Sequence, residues 1–166
     1  MKVKSVTFRV DSSNEIGSGH IRRCLLLAKS FKLNNIDIVF YSRQCISSHK
    51  DEIRKEFRLV TGSPNKERDL DKEDAIETLR ANVHADVIIC DHYGITEEWS
   101  EIIMNENMLV CLYDLADKSI LCNLLIDMSL GRKREDYKGL IQRNSKLLAD
   151  PRFALIDEKF FLNKEE

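Results

Sequence analysis

Three stretches of the 166-residue chain set chemically capable side chains beside residues that turn the backbone. The first, residues 11–20, reads Asp-Ser-Ser-Asn-Glu-Ile-Gly-Ser-Gly-His. Gly17 and Gly19, one residue apart, allow a tight turn that brings the backbone close to a ligand. This turn lacks the third glycine of a dinucleotide fingerprint and the lysine of a P-loop, so it indicates an anion- or sugar-facing loop and no nucleotide class. His20 follows at once, and a histidine opening a helix has its imidazolium disfavoured by the helix dipole, leaving a neutral ring able to act as a general base. The alternative is a histidine that caps the helix or packs beneath the loop. The second stretch, Asp91-His92-Tyr93-Gly94, closes an apolar run; the third runs from Tyr113 and Asp114 to Asp117. Their carboxylates read most simply as turn and cap acceptors, with His92 partly buried and Tyr93 covering the core edge. Spacing alone pairs none of them as acid and base. A Cys90/His92 metal site needs two further ligands that the spacing does not supply, and a Cys–His nucleophilic pair needs an exposed thiol where apolar neighbours predict a buried one.

These stretches must be positioned by regular elements, and hydrophobic periodicity predicts them. Residues 4–10 alternate and are rich in β-formers. From His20 onward, Ile21, Cys24, Leu25, Ala28 and Phe31 recur at helical spacing. Further strands are expected at 36–41, 57–60, 86–91, 108–113, 123–127 and 152–156. Helices are expected at 51–56, at a segment with Ala75, Ile76, Leu79 and Val83 on its apolar face, and at 96–104 with Thr96 as N-cap. Residues 61–69 read as a surface loop and 134–141 as a polar helix or loop. The alternation of strand and helix predicts one α/β domain over 1–166: a Rossmann-like parallel sheet with helices on both faces, and ligands at the carboxyl ends of the strands.

Composition narrows the function classes. The chain is 43% hydrophobic and 33% charged with six glycines and two prolines, which excludes general disorder. Lys plus Arg number 26 against 28 Asp plus Glu, a net charge of −2 that offers no overall attraction for nucleic acid. The longest apolar runs fall far short of the ~20 residues that cross a bilayer, and there is no secretory h-region at the start, so no membrane association and a cytoplasmic location are expected. The five cysteines are odd in number, contain no C-x-x-C and mostly lie in apolar stretches, as reduced core thiols do. Stability at this size implies no cofactor.

The run from Phe8 to Ala28 strongly resembles the opening of the UDP-2,4-diacetamido-2,4,6-trideoxy-β-L-altropyranose hydrolases of pseudaminic-acid biosynthesis, whose pattern is close to F-R-x-D-x-S-x-x-I-G-x-G-H-x-x-R-x-L-x-L-A. The likeness continues through residues 87–95 with Trp99, the Asp114-Leu-Ala region, Cys122, residues 135–140, residues 151–156 and Phe160, and is weak between Tyr41 and Arg80. The resemblance implies a glycosyltransferase-B-type pair of Rossmann-like lobes facing a cleft, of which this chain is the N-terminal, catalytic one. On that basis His20 would be the general base, Gly17 and Gly19 would shape the turn, and Asp11 and Tyr93 would line the sugar pocket. Water would attack the anomeric carbon with inversion, UDP would leave, and no metal would be required. The C-terminal lobe that holds UDP would be absent or supplied by a separate chain. Departures from the pattern put aspartate at 127, 150 and 157 and tyrosine at 113, and imply added negative charge near the interlobe side. Two other functions fit the same residues: the acceptor-binding lobe of a glycosyltransferase-B enzyme, and an inactive sugar-binding remnant.

Overall fold

Alternation along the first strand sets the architecture. In the computed structural model, which describes residues 2–64 and 69–157, β1 (Ser5–Val10) turns Val6, Phe8 and Val10 into one apolar cluster. Arg9, on the opposite face, reaches Asp74. The chain continues through α1 (Gly19–Leu33), β2 (Asp37–Ser42), α2 (Ser47–Arg54), β3 (Arg58–Thr61), α3 (Lys72–Ala81), β4 (Val87–Asp91), α4 (Glu97–Met104), β5 (Met108–Leu112), β6 (Leu124–Asp127) and β7 (Lys146–Ala149). Short 3-10 turns lie at Arg134–Tyr137 and Pro151–Phe153. The expectations at 65–68 and Phe160 fall outside the described residues.

The strands form one seven-stranded sheet in the order β3-β2-β1-β4-β5-β6-β7, parallel throughout. This is a Rossmann-like α/β fold. The chain first winds outward from β1 to β3 and then returns to start again at β4 on the other side. The reversal opens a crevice at the carboxyl ends of β1 and β4, where adjacent crossovers leave in opposite directions. Register makes those ends flush, with Val10 opposite Asp91.

Side-chain alternation sorts the core into two layers. Val87 and Ile89 of β4, with Val110 and Leu112 of β5, join Ile21, Cys24, Leu25 and Ala28 of α1 and Ile53 of α2. Ile88 and Cys90, with Leu109 and Cys111, face Ala75 of α3 and Trp99 and Ile103 of α4. Helices therefore cover both faces, as period-two burial on each strand requires. Thr96 is the N-cap of α4, its side chain accepting from the Trp99 amide at 3.2 Å. Cys24, Cys90, Cys111 and Cys122 are buried free thiols and Cys45 is half-buried. No helix among the described residues is long and apolar enough to cross a membrane.

Two expectations are corrected. The seventh strand is Lys146–Ala149, pairing Leu147 with Leu125 of β6, and not residues 152–156. Pro151 has no N–H to give a ladder, and the chain there makes an exposed 3-10 turn. α3 stops at Ala81, so Val83 is 75% exposed instead of lying on an apolar helix face. Asn82 turns to an extended conformation and its side-chain amide donates to Ser5 Oγ at 2.8 Å, drawing the chain down to the start of β1.

The α3 face of the sheet carries a buried charge cluster. Arg9, 1% exposed, donates to Asp74 at 2.8 and 2.7 Å and to Asp11 at 2.7 and 3.0 Å. Burial alone would weaken its hold on the proton, but Asp11 and then Asp74 outweigh it and keep the guanidinium firmly charged. Asp74 also accepts the Trp99 indole N–H at 2.9 Å and lies 3.3 Å from Arg43 Nε. Asp74→Ala is expected to cost about 3–5 kcal/mol in urea denaturation, because it strands Arg9 with one carboxylate in a dry environment. A variant with wild-type stability would show that the cluster does not hold the sheet.

Candidate active site

A cavity of about 370 Å³ opens at the carboxyl ends of β1, β2 and β4, at the crevice between the two windings of the sheet. Asp11, His20 and Tyr93 line it, together with Asp91 and His92. Gly17 and Gly19 do not line it; Gly17 belongs to the loop at its edge and Gly19 is the first residue of α1. Gly17 has φ +81°, a left-handed conformation in which a side chain is strained, and its amide donates to the Ser13 carbonyl at 2.8 Å. The Ser13 hydroxyl accepts from the amides of Glu15 and Ile16, so the loop is closed by its own residues. Gly19 begins α1, and nothing lies within 4 Å of where its Cβ would stand, so sterics do not require glycine there.

His20 is 7% exposed and lies in the first turn of α1. It neither caps the helix nor simply fills space: its Nδ1 is 2.5 Å from Oδ1 of Asp91, the last residue of β4. Asp91 is fully buried. Burial alone would raise its pKa, but hydrogen bonds from Arg23 and then His20 outweigh it and hold the carboxyl below its ordinary value. An ionised carboxylate only accepts hydrogen bonds, so Nδ1 carries a proton toward Asp91, and in the neutral form of the ring the lone pair lies on Nε2. The side of the imidazole away from Asp91 is thus the basic one. Tyr93 lies edge-on to the same ring, with centroids 4.8 Å apart and planes at 81°. Its hydroxyl donates to Asp114 at 2.7 Å, and burial together with Asp114 pushes its pKa up to about 12, so it stays a protonated phenol.

Asp11 reaches the cavity wall with most of its hydrogen-bonding capacity already used. It accepts from both Arg9 nitrogens, from Ser42 Oγ at 2.9 Å, and from the amides of Arg43 and Gln44 at 2.9 and 3.1 Å. Burial would raise its pKa, but Arg9 and then His92 hold it well below the usual carboxylate range. His92 Nδ1 accepts the Gly94 amide, which leaves Nε2–H facing Asp11 at 3.4 Å. Asp11 therefore ties the ends of β1 and β2 together as well as lining the cavity.

Sequence reasoning missed the partners of these residues. Asp91 is 71 positions from His20, and Arg23 grips Asp91 with two nitrogens at 2.5 and 2.6 Å while reaching Asp114 with a third at 2.8 Å. The available signals were an aspartate closing a buried strand and an arginine one helical turn after the histidine. The extra negative charge expected from Asp127 and Asp150 is compensated in place. Asp127 is fully buried, accepting from Arg132 Nε at 2.6 Å and Tyr137 Oη at 2.8 Å, and Asp150 pairs with Arg152 at 3.0 Å. Among the described residues no group of three or more His, Cys, Asp or Glu side chains is placed to hold a metal ion.

No family model matches the chain. It is 32% identical over 163 residues to a UDP-2,4-diacetamido-2,4,6-trideoxy-beta-L-altropyranose hydrolase of Campylobacter jejuni, a match covering 97% of this chain and 55% of the hydrolase. It is 25% identical over 174 residues to an uncharacterized protein of Methanocaldococcus jannaschii, covering 100% of this chain and 33% of that protein. The chain thus spans about half the length of the hydrolase and about a third of the archaeal protein.

The lowered pKa values of Asp11 and Asp91 fix the sign of a pH effect. Their stabilisation is complete above the unfolded carboxylate value of about 4 and is lost as pH falls through the lower folded values. The urea midpoint is expected to hold steady above about pH 5 and to drop as pH falls from there toward about 2, with a shallower slope in Asp91→Asn. A midpoint that rises on acidification would contradict this.

Proposed function

We propose that this chain is the base-bearing lobe of a UDP-sugar hydrolase acting on a UDP-linked 2,4-diacetamido-2,4,6-trideoxy hexose, with a cytoplasmic location. The 32% identity to such a hydrolase supports the substrate class, and the His20–Asp91 pair at the cavity carries the chemistry. Among the described residues, the arginines that line the cavity, Arg9 and Arg43, are both engaged by carboxylates, so the site suits the uncharged sugar. The diphosphate then lies toward the cavity mouth, and a second lobe, in the same or a separate chain, holds the nucleotide.

In this reaction His20 Nε2 takes a proton from water as the water oxygen bonds to the anomeric carbon. The C–O bond to the diphosphate breaks on the opposite face, and its electron pair leaves with UDP, giving inversion. Asp91 fixes the ring orientation and stabilises the imidazolium that forms. Tyr93, held by Asp114, forms one wall of the sugar pocket, with Asp11 and the turn shaped by Gly17 and Gly19 beside it.

UDP release from the UDP-sugar, assayed with the chain alone and with a nucleotide-binding lobe supplied in trans, tests the assignment. His20→Ala is expected to lower the rate by about 10²–10⁴-fold. An unchanged rate in that variant overturns His20 as the base. Release only when an acceptor sugar is added points to the glycosyltransferase lobe, and binding without turnover to the sugar-binding remnant.

A further inference from the structure

His20, Asp91, Arg23, Asp114 and Tyr93 form a closed ring of contacts. His20 meets Asp91, Asp91 meets Arg23, Arg23 meets Asp114, Asp114 meets the Tyr93 hydroxyl, and the Tyr93 ring returns to the imidazole. The members come from α1, the end of β4, the loop after it and the loop after β5, so the ring exists only in the folded chain. We infer that Arg23 is a positioning residue that keeps His20 available as a base, by clamping Asp91 against Asp114 and offsetting their charge. This rests on the reading of His20 as the base.

Charge counting gives the physical reason. With a neutral imidazole the ring holds one guanidinium against two carboxylates and carries a single negative charge, which a proton arriving on His20 cancels. Without Arg23, the fully buried Asp91 faces the imidazole with its charge unmatched and Asp114 adds a second uncompensated carboxylate beyond it, and together they draw a proton onto the ring before any substrate arrives. A base already loaded cannot take a proton from water. Arg23 Nη2 is also only 3.2 Å from His20 Nδ1, so the cation acts on the ring directly as well as through Asp91. The fork matters too: bonds from Nε and Nη2 to the two Asp91 oxygens fix the plane of the carboxylate that orients the imidazole.

Other titratable groups surround the same ring. Cys24 of α1 donates to Asp91 Oδ2 at 3.5 Å, and its thiol is pushed up by burial and by Asp91, so it stays neutral. Tyr93 stays a protonated phenol. Across the cavity, Arg9 and Asp11 at the end of β1 are paired with each other, His92 faces Asp11, and exposed Glu15 lies in the loop before α1. Among the described residues, Arg23 supplies the guanidinium bonded to Asp91 itself.

The test is a ring ¹³C and ¹⁵N NMR titration of His20 in the chain as it is, assigned by the signal lost in His20→Gln. It requires no turnover. Arg23→Gln is expected to shift the His20 midpoint up by about one unit or more. Asp114→Asn, which removes a partly exposed negative charge, is expected to shift it down, and Arg23→Lys to leave it near the wild-type value. Asp114→Asn and Arg23→Lys keep the test readable if Arg23→Gln does not fold. Midpoints that stay put, or that move the same way in Arg23→Gln and Asp114→Asn, overturn the proposal. Where the chain turns over, the acid limb of kcat/KM is expected to follow the NMR midpoints, with kcat reduced in Arg23→Lys for loss of the fork. NMR shifts without matching movement of that limb leave the clamp standing and remove His20 from the role of base.

Discussion

Parallel strands that all end on one edge bring their polar exits together, and in this chain five of the seven exits are acidic. Asp11, Asp91, Asp114, Asp127 and Asp150 stand at or just beyond the carboxyl ends of β1, β4, β5, β6 and β7. Several are buried, and a row of like charges in low dielectric cannot persist without partners. Each is held by an arginine: Asp11 by Arg9, Asp91 and Asp114 by Arg23, Asp127 by Arg132, and Asp150 by Arg152. This pairing is the constraint on which the edge of the sheet, and the cavity within it, depends.

Its consequence is rigidity where chemistry is proposed. Arg9 reaches Asp74 of α3, which also anchors Trp99 of α4, so the floor of the cavity is bonded to the two helices on that face. Arg23 belongs to α1 on the other face and binds the ends of β4 and β5. His20 thus sits between two networks locked by different helices. A buried ion pair adds little net stability over a well-packed apolar pair, but breaking one is costly, and such networks hold a site in one geometry.

Much of this was legible in the residues. Continuous apolar runs marked β4 and β5, helical spacing marked α1, and Thr96 marked the start of α4. The turn before His20 was legible as a place of close backbone approach, and its glycine at φ +81° explains why glycine is needed at 17. The seventh strand was misplaced because an edge strand of four residues with a single buried residue, Leu147, carries almost no periodic signal, whereas 152–156 looks apolar yet follows a proline. The end of α3 was misjudged because a side-chain bond from Asn82 to Ser5, 77 residues away, decides where that helix stops.

By itself the sequence determined the α/β alternation, the sheet's parallel character, the turn and the histidine that follows it, because propensity and hydrophobic period act over a few residues. It could not say which nitrogen of His20 is free, since that depends on a carboxylate 71 positions away. Nor could it show that Asp11 spends its oxygens on β2, or that Asp127 is neutralised by Arg132. Only the tertiary structure decided these, because the chain reverses its winding between β1 and β4 and brings strand ends from distant parts of the sequence into one crevice. Charge pairing there is set by proximity across the sheet, which spacing along the chain does not encode.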